Sequence, residues 1–382
     1  MSLPEAQRYA AFTVLLTAIT AIPEEQRGEP LAKLAGVLYH LPQAQRDAAF
    51  PTLLAAITAL PKAQQGVPLA RLCELERLPE AQRGAAFTVL LTAFTAIPEE
   101  QRGEPLAELA SAIYHLPQAQ CDAAFTALFA AITAIPEEQR GEPLAKLAGV
   151  LYHLPQARRE AAFTTLLAAI KALPKAQQGV PLARLSGKLV SLPKAQRDAA
   201  FTVLLAAITA LPEEQRGEPL ARLAGTLYNL PQARCEAAFM ALLAAIKALP
   251  KAQQSVPLAR LSSMLGVLPE AQRYAAFTVL LTAIKALPKA QQGEPLAKLA
   301  SVLDHLPQLQ RYAAFTVLLT AITAIPEEQR SEPLAELAGP LYRLPQARCE
   351  AAFTALFAAI TAIPEEQRGE PLAILLGNST IR

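Results

Sequence analysis

The sequence has no tryptophan, only four cysteines, and no excess of either charge, with 35 Lys+Arg against 33 Asp+Glu. Each shortage excludes something. Cys73, Cys121, Cys235 and Cys349 stand singly, with no CxxC pair. No disulfide framework or zinc module is legible, and isolated thiols fit a reducing compartment. A near-neutral chain has no bulk field to draw it to nucleic acid or to an anionic membrane. Pro or charge interrupts every apolar run well before the roughly 18 residues that a membrane span needs. The opening "MSLPEA" shows no signal peptide. No Ser–His–Asp set, Gly-rich phosphate loop, HExxH or clustered metal ligand occurs, so no catalytic, cofactor or metal site is expected, and no small-molecule substrate.

Proline, in contrast, is abundant. The chain has 32, yet 52% of its residues are hydrophobic, so the prolines must punctuate a packed core rather than mark disorder. Leu/Ile-Pro recurs at Pro4, Pro23, Pro42, Pro61, Pro79, Pro98, Pro117, Pro136 and onward to Pro364, in steps of 19 residues except for 18 between Pro61 and Pro79. "AAF" returns every second step, at Phe12, Phe50, Phe87, Phe125, Phe163, Phe201, Phe239, Phe277, Phe315 and Phe353. The repeat is therefore 38 residues long and occurs ten times. The repeats are 3–40, 41–77, 78–115, 116–153, 154–191, 192–229, 230–267, 268–305, 306–343 and 344–382, in one domain over 3–382.

In "PEAQRYAAFTVLLTAITAI", Ala11, Phe12, Leu15, Ala18, Ile19 and Ile22 fall at spacings of three and four, an apolar stripe of helical period. Pro4 suits a first helical turn, and the residue before the next Pro is pushed out of the α region, which ends the helix. In "IPEEQRGEPLAKLAGVLYH" the spacing predicts a short turn of helix from Pro23 to Arg27. Gly28 then acts as a left-handed terminator, Glu29 is non-helical, and a medium helix runs from Pro30 to His40, burying Leu31, Leu34, Ala35 and Leu38. The rival reading is one helix kinked at Pro30. Short, medium and long helix resemble an armadillo repeat, and the kinked version resembles a HEAT repeat. Either implies an all-α fold, a right-handed α-solenoid whose repeats bury their apolar faces by stacking. Ile374 and Leu376 replace polar or small residues near the end, so the chain is expected to be a piece of a longer array or to stack on something.

Repeats this alike are informative where they differ. The seventh place holds Tyr9, Asp47, Gly84, Asp122, Glu160, Asp198, Glu236, Tyr274, Tyr312 and Glu350, in the stripe of Thr13, Thr17 and Thr20 opposite the apolar face. The last two places hold Tyr39-His40, Glu76-Arg77, Tyr114-His115, Tyr152-His153, Val190-Ser191, Tyr228-Asn229, Gly266-Val267, Asp304-His305 and Tyr342-Arg343. A third alternation sets "PEEQR" against the "PKAQQ" of Lys62, Lys175, Lys251 and Lys289, so one edge changes sign. Drift at positions that nothing packs against would explain these differences. A binding surface would explain them too, since Tyr, Arg and acidic residues make directional contacts. The candidate partner-binding residues are Tyr9, Asp47, Asp122, Glu160, Asp198, Glu236, Tyr274, Tyr312 and Glu350 of the seventh place, with Tyr39, His40, Tyr114, His115, Tyr152, His153, Tyr228, Asn229, Tyr342 and Arg343 of the last two places. The Gln-Arg after each Pro is expected to satisfy carbonyls at the preceding helix end or to pair with neighbouring Glu, stiffening the array. Cys121, Cys235 and Cys349 replace that Arg.

Two functions follow. One is a non-enzymatic scaffold that engages a protein or extended peptide along a curved surface, as armadillo- and HEAT-like arrays do. The near-identical, Pro-punctuated repeats are also similar in style to tandem repeats of bacterial effector proteins, which would place the chain in a host cell rather than simply the cytoplasm. The alternative is RNA: the 38-residue two-helix unit matches the length of the octotricopeptide repeat, which implies one base read per repeat. That family's Trp-containing signature is absent here, its place taken by "LPEAQR", and the acidic seventh place would repel phosphate.

Overall fold

The structure is a computed structural model that describes residues 4–379. The described residues are all-α, without strands. They fall into two compact lobes, Met1–Leu192 and Pro193–Arg382. The N-terminal lobe holds α1 (Glu5–Ala21), α2 (Gly28–Val37), α3 (Gln43–Thr58), α4 (Gly66–Ala70), α5 (Glu80–Ala96), α6 (Gly103–Ala112), α7 (Gln118–Ala134), α8 (Gly141–Gly149), α9 (Gln156–Ala172) and α10 (Gly179–Ser186). The C-terminal lobe holds α11 (Arg197–Thr209), α12 (Gly217–Ala224), α13 (Gln232–Lys247), α14 (Lys251–Ser263), α15 (Glu270–Lys285), α16 (Gly293–Ser301), α17 (Gln308–Thr323), α18 (Ser331–Ala338), α19 (Gln346–Thr361) and α20 (Gly369–Ser379). Odd-numbered helices are the long ones. In each lobe the even-numbered helices pack on one another in sequence, α2 on α4, α4 on α6 and onward, the arrangement of an α-solenoid. No helix among the described residues is long and apolar enough to cross a membrane.

The apolar stripe packs as its period requires. In α5, Ala86, Phe87, Leu90, Ala93 and Phe94 are buried, and in α2, Leu31, Leu34 and Ala35 are buried with Leu38 just beyond. Each such Leu or Phe contributes about 1.5–3 kcal/mol by leaving water. In α1 the equivalent of Leu90 behaves differently: Leu15 is 52% exposed.

The entry to the medium helix differs from the sequence expectation. Gly28 is its first residue, Glu29 is helical, and no described residue has positive φ. Arg27 stays right-handed (φ −80°, ψ −22°), so the 3₁₀ turn Glu24–Gln26 runs on into α2 without a reversal. Pro30 is tolerated there because the first-turn N–H groups of a helix have no intrahelical partner. A small residue is favoured at this place for a different reason. A Cβ on Gly28 would stand 3.3 Å from Gln64 Oε1 of the next repeat, and one on Gly103 would stand 3.1–3.4 Å from Gln139. Where Ser replaces this Gly, its hydroxyl donates to that neighbour's carbonyl, from Ser255 to Gln291 (2.9 Å) and from Ser331 to Gln367 (2.8 Å). The continuous helix with an internal Pro also occurs, in α14 with Pro257.

Two side-chain solutions cap the long helices. In "PEEQR" repeats the Arg donates its Nε–H to the last carbonyl, as Arg27 does to Ile22 (2.7 Å) and Arg102 to Ile97 (2.8 Å). In "PKAQQ" repeats a buried Gln does the same work twice: Gln178 Nε2 donates to Lys171 O (3.0 Å) and Leu173 O (2.6 Å). Its own amide oxygen then accepts from Lys175 (3.4 Å). Lys251 makes the same contact to Gln254, whereas among the described residues the buried Gln65 and Gln292 amide oxygens have no hydrogen-bond partner.

The Arg of the sixth place ties helix ends together as expected. Arg83 donates to Leu78 O (2.9 Å), to His115 O (3.0 Å) and to Glu76 O (2.9 Å) of the preceding repeat. Arg159 repeats the pattern on Leu154, Ser191 and Tyr152. Where Cys stands instead, a buried thiol faces carbonyls at longer range: Cys121 Sγ lies 3.5–3.8 Å from Pro117, Leu116 and Ile113 oxygens. Burial pushes the Cys73, Cys121 and Cys235 thiols above their ordinary range.

Candidate functional site

At Gly84, Asp122, Asp198, Glu236 and Tyr312 the variable seventh place meets the fifth place of the following repeat. Asp122 pairs with Arg158 and Asp198 with Arg234, each at 3.0 Å. Glu236 accepts from Gln272. The Arg348 guanidinium lies over the Tyr312 ring, 5.1 Å from its centroid. Gly84 fits the same rule by its absence of a side chain, since Gln120 occupies the space where its Cβ would be. Tyr9, Asp47 and Tyr274 are half-buried in the same row, Tyr274 stacking on Phe277, whereas Glu160 and Glu350 are exposed.

The penultimate place behaves likewise, against the last place of the next repeat. Arg77 lies over Tyr39 at 6.0 Å, His115 bonds Glu76 at 2.7 Å, and Tyr114 meets His153 edge-on at 4.4 Å. A Cβ on Gly266 would press on the His305 ring, and Arg343 pairs with Asp304. Two candidates leave the surface entirely. Tyr39 is buried and donates its hydroxyl to Leu72 O (3.0 Å), because α4 breaks after five residues and leaves that carbonyl free. Asn229 is buried too, its carbonyl accepting from Arg197 (3.1 Å). Tyr114, Tyr152, Tyr228, Tyr342, His40 and Arg343 remain exposed. Tyr152 packs on His153 (3.8 Å) under the Lys188 ammonium (4.6 Å). Burial, then Lys188, His115 and Arg159, holds the His153 imidazole below its ordinary value.

Most altered letters thus answer another altered letter one repeat on. A different feature faces outward. The first turns of α2, α4, α6, α8 and α10 line a groove of about 1490 Å³, running from Glu25 to Pro181. Buried small residues line it, including Gly66, Pro68, Pro105, Ala107, Pro143 and Pro181, with Val67 and Val180 exposed among them. Its rim carries Glu25, Glu29, Glu100, Glu104, Glu108, Glu138 and Glu142 against the one cation Lys146. A smaller recess of about 350 Å³ shares Val67, Glu104 and Glu108 and adds Glu74, Glu76, Arg71 and His115. Sequence reasoning passed over these Glu residues because they recur in a solvated motif. The available signal was Glu108, which stands where neighbouring repeats carry Lys33, Arg71, Lys146 and Arg184. Among the described residues no group of three or more His, Cys, Asp or Glu is placed to hold a metal ion.

No family model matches the chain, and no curated protein matches it. Among known structures it is similar to a crystallised engineered protein, at 16% identity over 97% of this chain and 98% of that one, TM-score 0.42. It is also similar to a homology model of the full-length AP-3 complex in an intermediate open conformation, at 11% identity over 99% and 79%, TM-score 0.43. Human Puf-A aligns at 9% identity over 97% and 98%, TM-score 0.21.

Proposed function

We propose that the chain is a non-enzymatic scaffold that holds an extended segment of a protein partner in the groove of the N-terminal lobe. The groove itself carries this reading. Its volume exceeds the roughly 300–1,000 Å³ of small-molecule sites, and it is long, open and lined by repeated first turns. Small residues that line it let a partner backbone approach closely, while Glu side chains on the rim supply acceptors. Adjacent α-helices pack about 8–10 Å apart, so four steps from α2 to α10 span about 32–40 Å. An extended strand rises about 3.3 Å per residue, so some ten to twelve residues would fill that length. The RNA alternative has less in its favour, since a carboxylate rim repels phosphate where RNA affinity demands its neutralisation. Unpaired thiols suit a reducing compartment, the cytoplasm or a host cell.

The test is a selection of displayed random peptides, about twelve residues long to match the strand rise, on the immobilised full chain. Recovered peptides are then titrated against the wild type and against Val67→Arg/Val180→Arg, both exposed positions. Binding should fall at least about tenfold in the double variant and should be unchanged in Thr88→Arg on the opposite stripe. Recovery of no binder, or indifference to the groove variant, would overturn the proposal. Retardation of a random single-stranded RNA pool at about 50 mM salt would favour the alternative.

A further inference from the structure

The groove is not uniform along its length, and its variation follows the repeat type. In repeats 1, 3 and 4 the lining pair is Glu25/Glu29, Glu100/Glu104 and Glu138/Glu142. In repeat 2, a "PKAQQGVP" repeat, the lining residues at those places are Ala63 and Val67, and in repeat 5 Val180 takes the same place. The lysines of these repeats, Lys62 and Lys175, are not part of the lining. Val67 and Val180 are 59% and 54% exposed, unusual for Val in a helix that packs its other apolar residues away. The alternation that reads from sequence as a change of charge is, inside the groove, an alternation of acid and apolar surface.

Repeat 3 adds a second irregularity. Elsewhere the lining Glu is partnered one turn later on its own helix: Glu29 with Lys33 (2.8 Å) and Glu142 with Lys146 (3.9 Å). On α6 the residue one turn after Glu104 is Glu108, a like-charge pair with no ion pair to either member among the described residues. Such a pair costs an isolated helix as much as the Glu–Lys pair contributes. Local rules broken in this way mark sites where stability yields to function.

We infer, building on the scaffold reading above, that the groove reads a register of cationic and apolar side chains on an extended partner. A Lys or Arg would lie opposite repeats 1, 3 and 4, an aliphatic residue opposite repeats 2 and 5, and the Glu104–Glu108 pair would anchor the central cation. At about 9 Å per repeat and about 3.1 Å per residue in a polyproline II segment, whose side chains return to one face every third residue, successive contacts fall three residues apart. The partner pattern is Lys-x-x-Leu-x-x-Lys-x-x-Lys-x-x-Leu, in either chain direction.

Synthetic peptides test this by fluorescence anisotropy on the full chain. One has the stated register with Ser and Gly as spacers. A second has identical composition with its three Lys first and its two Leu last. The registered peptide should bind at least about tenfold tighter, lose that advantage in Glu108→Lys, and weaken with added salt. Glu108→Lys should melt no lower than wild type, because it restores the Glu–Lys spacing, so its loss of binding is not unfolding. Equal affinity of the two peptides, with both abolished by Val67→Arg/Val180→Arg, would overturn the register while leaving the groove. Indifference of both peptides to the groove variant would overturn register and scaffold together.

Discussion

The Arg158 guanidinium reaches back 36 residues in sequence to the Asp122 carboxylate, 3.0 Å away in the repeat before it. The same geometry recurs between Asp198 and Arg234. Arg occupies the fifth place only in repeats 5, 7 and 10, and the residue it meets one repeat earlier is Asp, Asp or Tyr. A double-mutant cycle over Asp122→Ala and Arg158→Ala should give a coupling of about 0.2–1 kcal/mol, the range of partly exposed pairs. Asp122→Ala should leave recovered-peptide binding unchanged, because this row belongs to repeat stacking. Loss of binding at intact melting temperature would return the row to the partner surface.

The sixth place offers a larger effect. Arg83 satisfies three carbonyls, whereas Cys121 only faces its equivalents through sulfur. Arg83→Cys should lower the unfolding free energy read from a urea titration, and Cys121→Arg should raise it, each by about 1.5–3 kcal/mol, the range of hydrogen bonds to charged groups. The Cys121 and Cys235 thiols, buried and held above their ordinary range, should react with a thiol reagent far faster in denaturant than in the folded chain.

The fold was legible in its periods. Pro spacing and the Phe12 stripe specify stacked helices because each repeat must bury the same face. Two features escaped. The first was the αR entry at Gly28, where the constraint comes from Gln64 of the next repeat, invisible to local rules. The second was the pairing of variable places. Tyr39 and Tyr114 occupy one slot, yet one is buried and one exposed, because α4 breaks where one residue is missing between Pro61 and Pro79. Exposure at a variable position depends on what the neighbouring repeat does.

The Gly of "GEP" supplies a stability test. At Gly217 a Cβ would find ordinary contact distances of 3.5–3.7 Å to Gln253. Gly217→Ser should therefore gain the hydroxyl bond that Ser255 and Ser331 make, and should reduce unfolded-chain entropy, adding about 0.5–1 kcal/mol. Gly103→Val should destabilise, since its Cβ alone would stand 3.1–3.2 Å from the Gln139 side chain. Thermal melts of the two variants check the pair.

Acid should weaken the N-terminal lobe through His153. Its imidazole is flanked by Tyr114, Tyr152, Lys188, His115 and Arg159 and titrates below its ordinary value. The unfolded chain therefore takes up the proton first. The neutral form's contribution is present above about pH 6.5 and is lost as pH falls through the folded value. Melting temperature should drop between about pH 7.5 and about pH 5, and His153→Gln should flatten part of that drop.

Recognition in the groove, rather than along the variable places, is tested directly by a benzophenone amino acid placed at Val67, and separately at the exposed Tyr114, with a peptide recovered by selection. Illumination should cross-link the peptide at position 67 and not at position 114. Cross-linking at 114 with none at 67 would put the partner on the aromatic row and contradict the account.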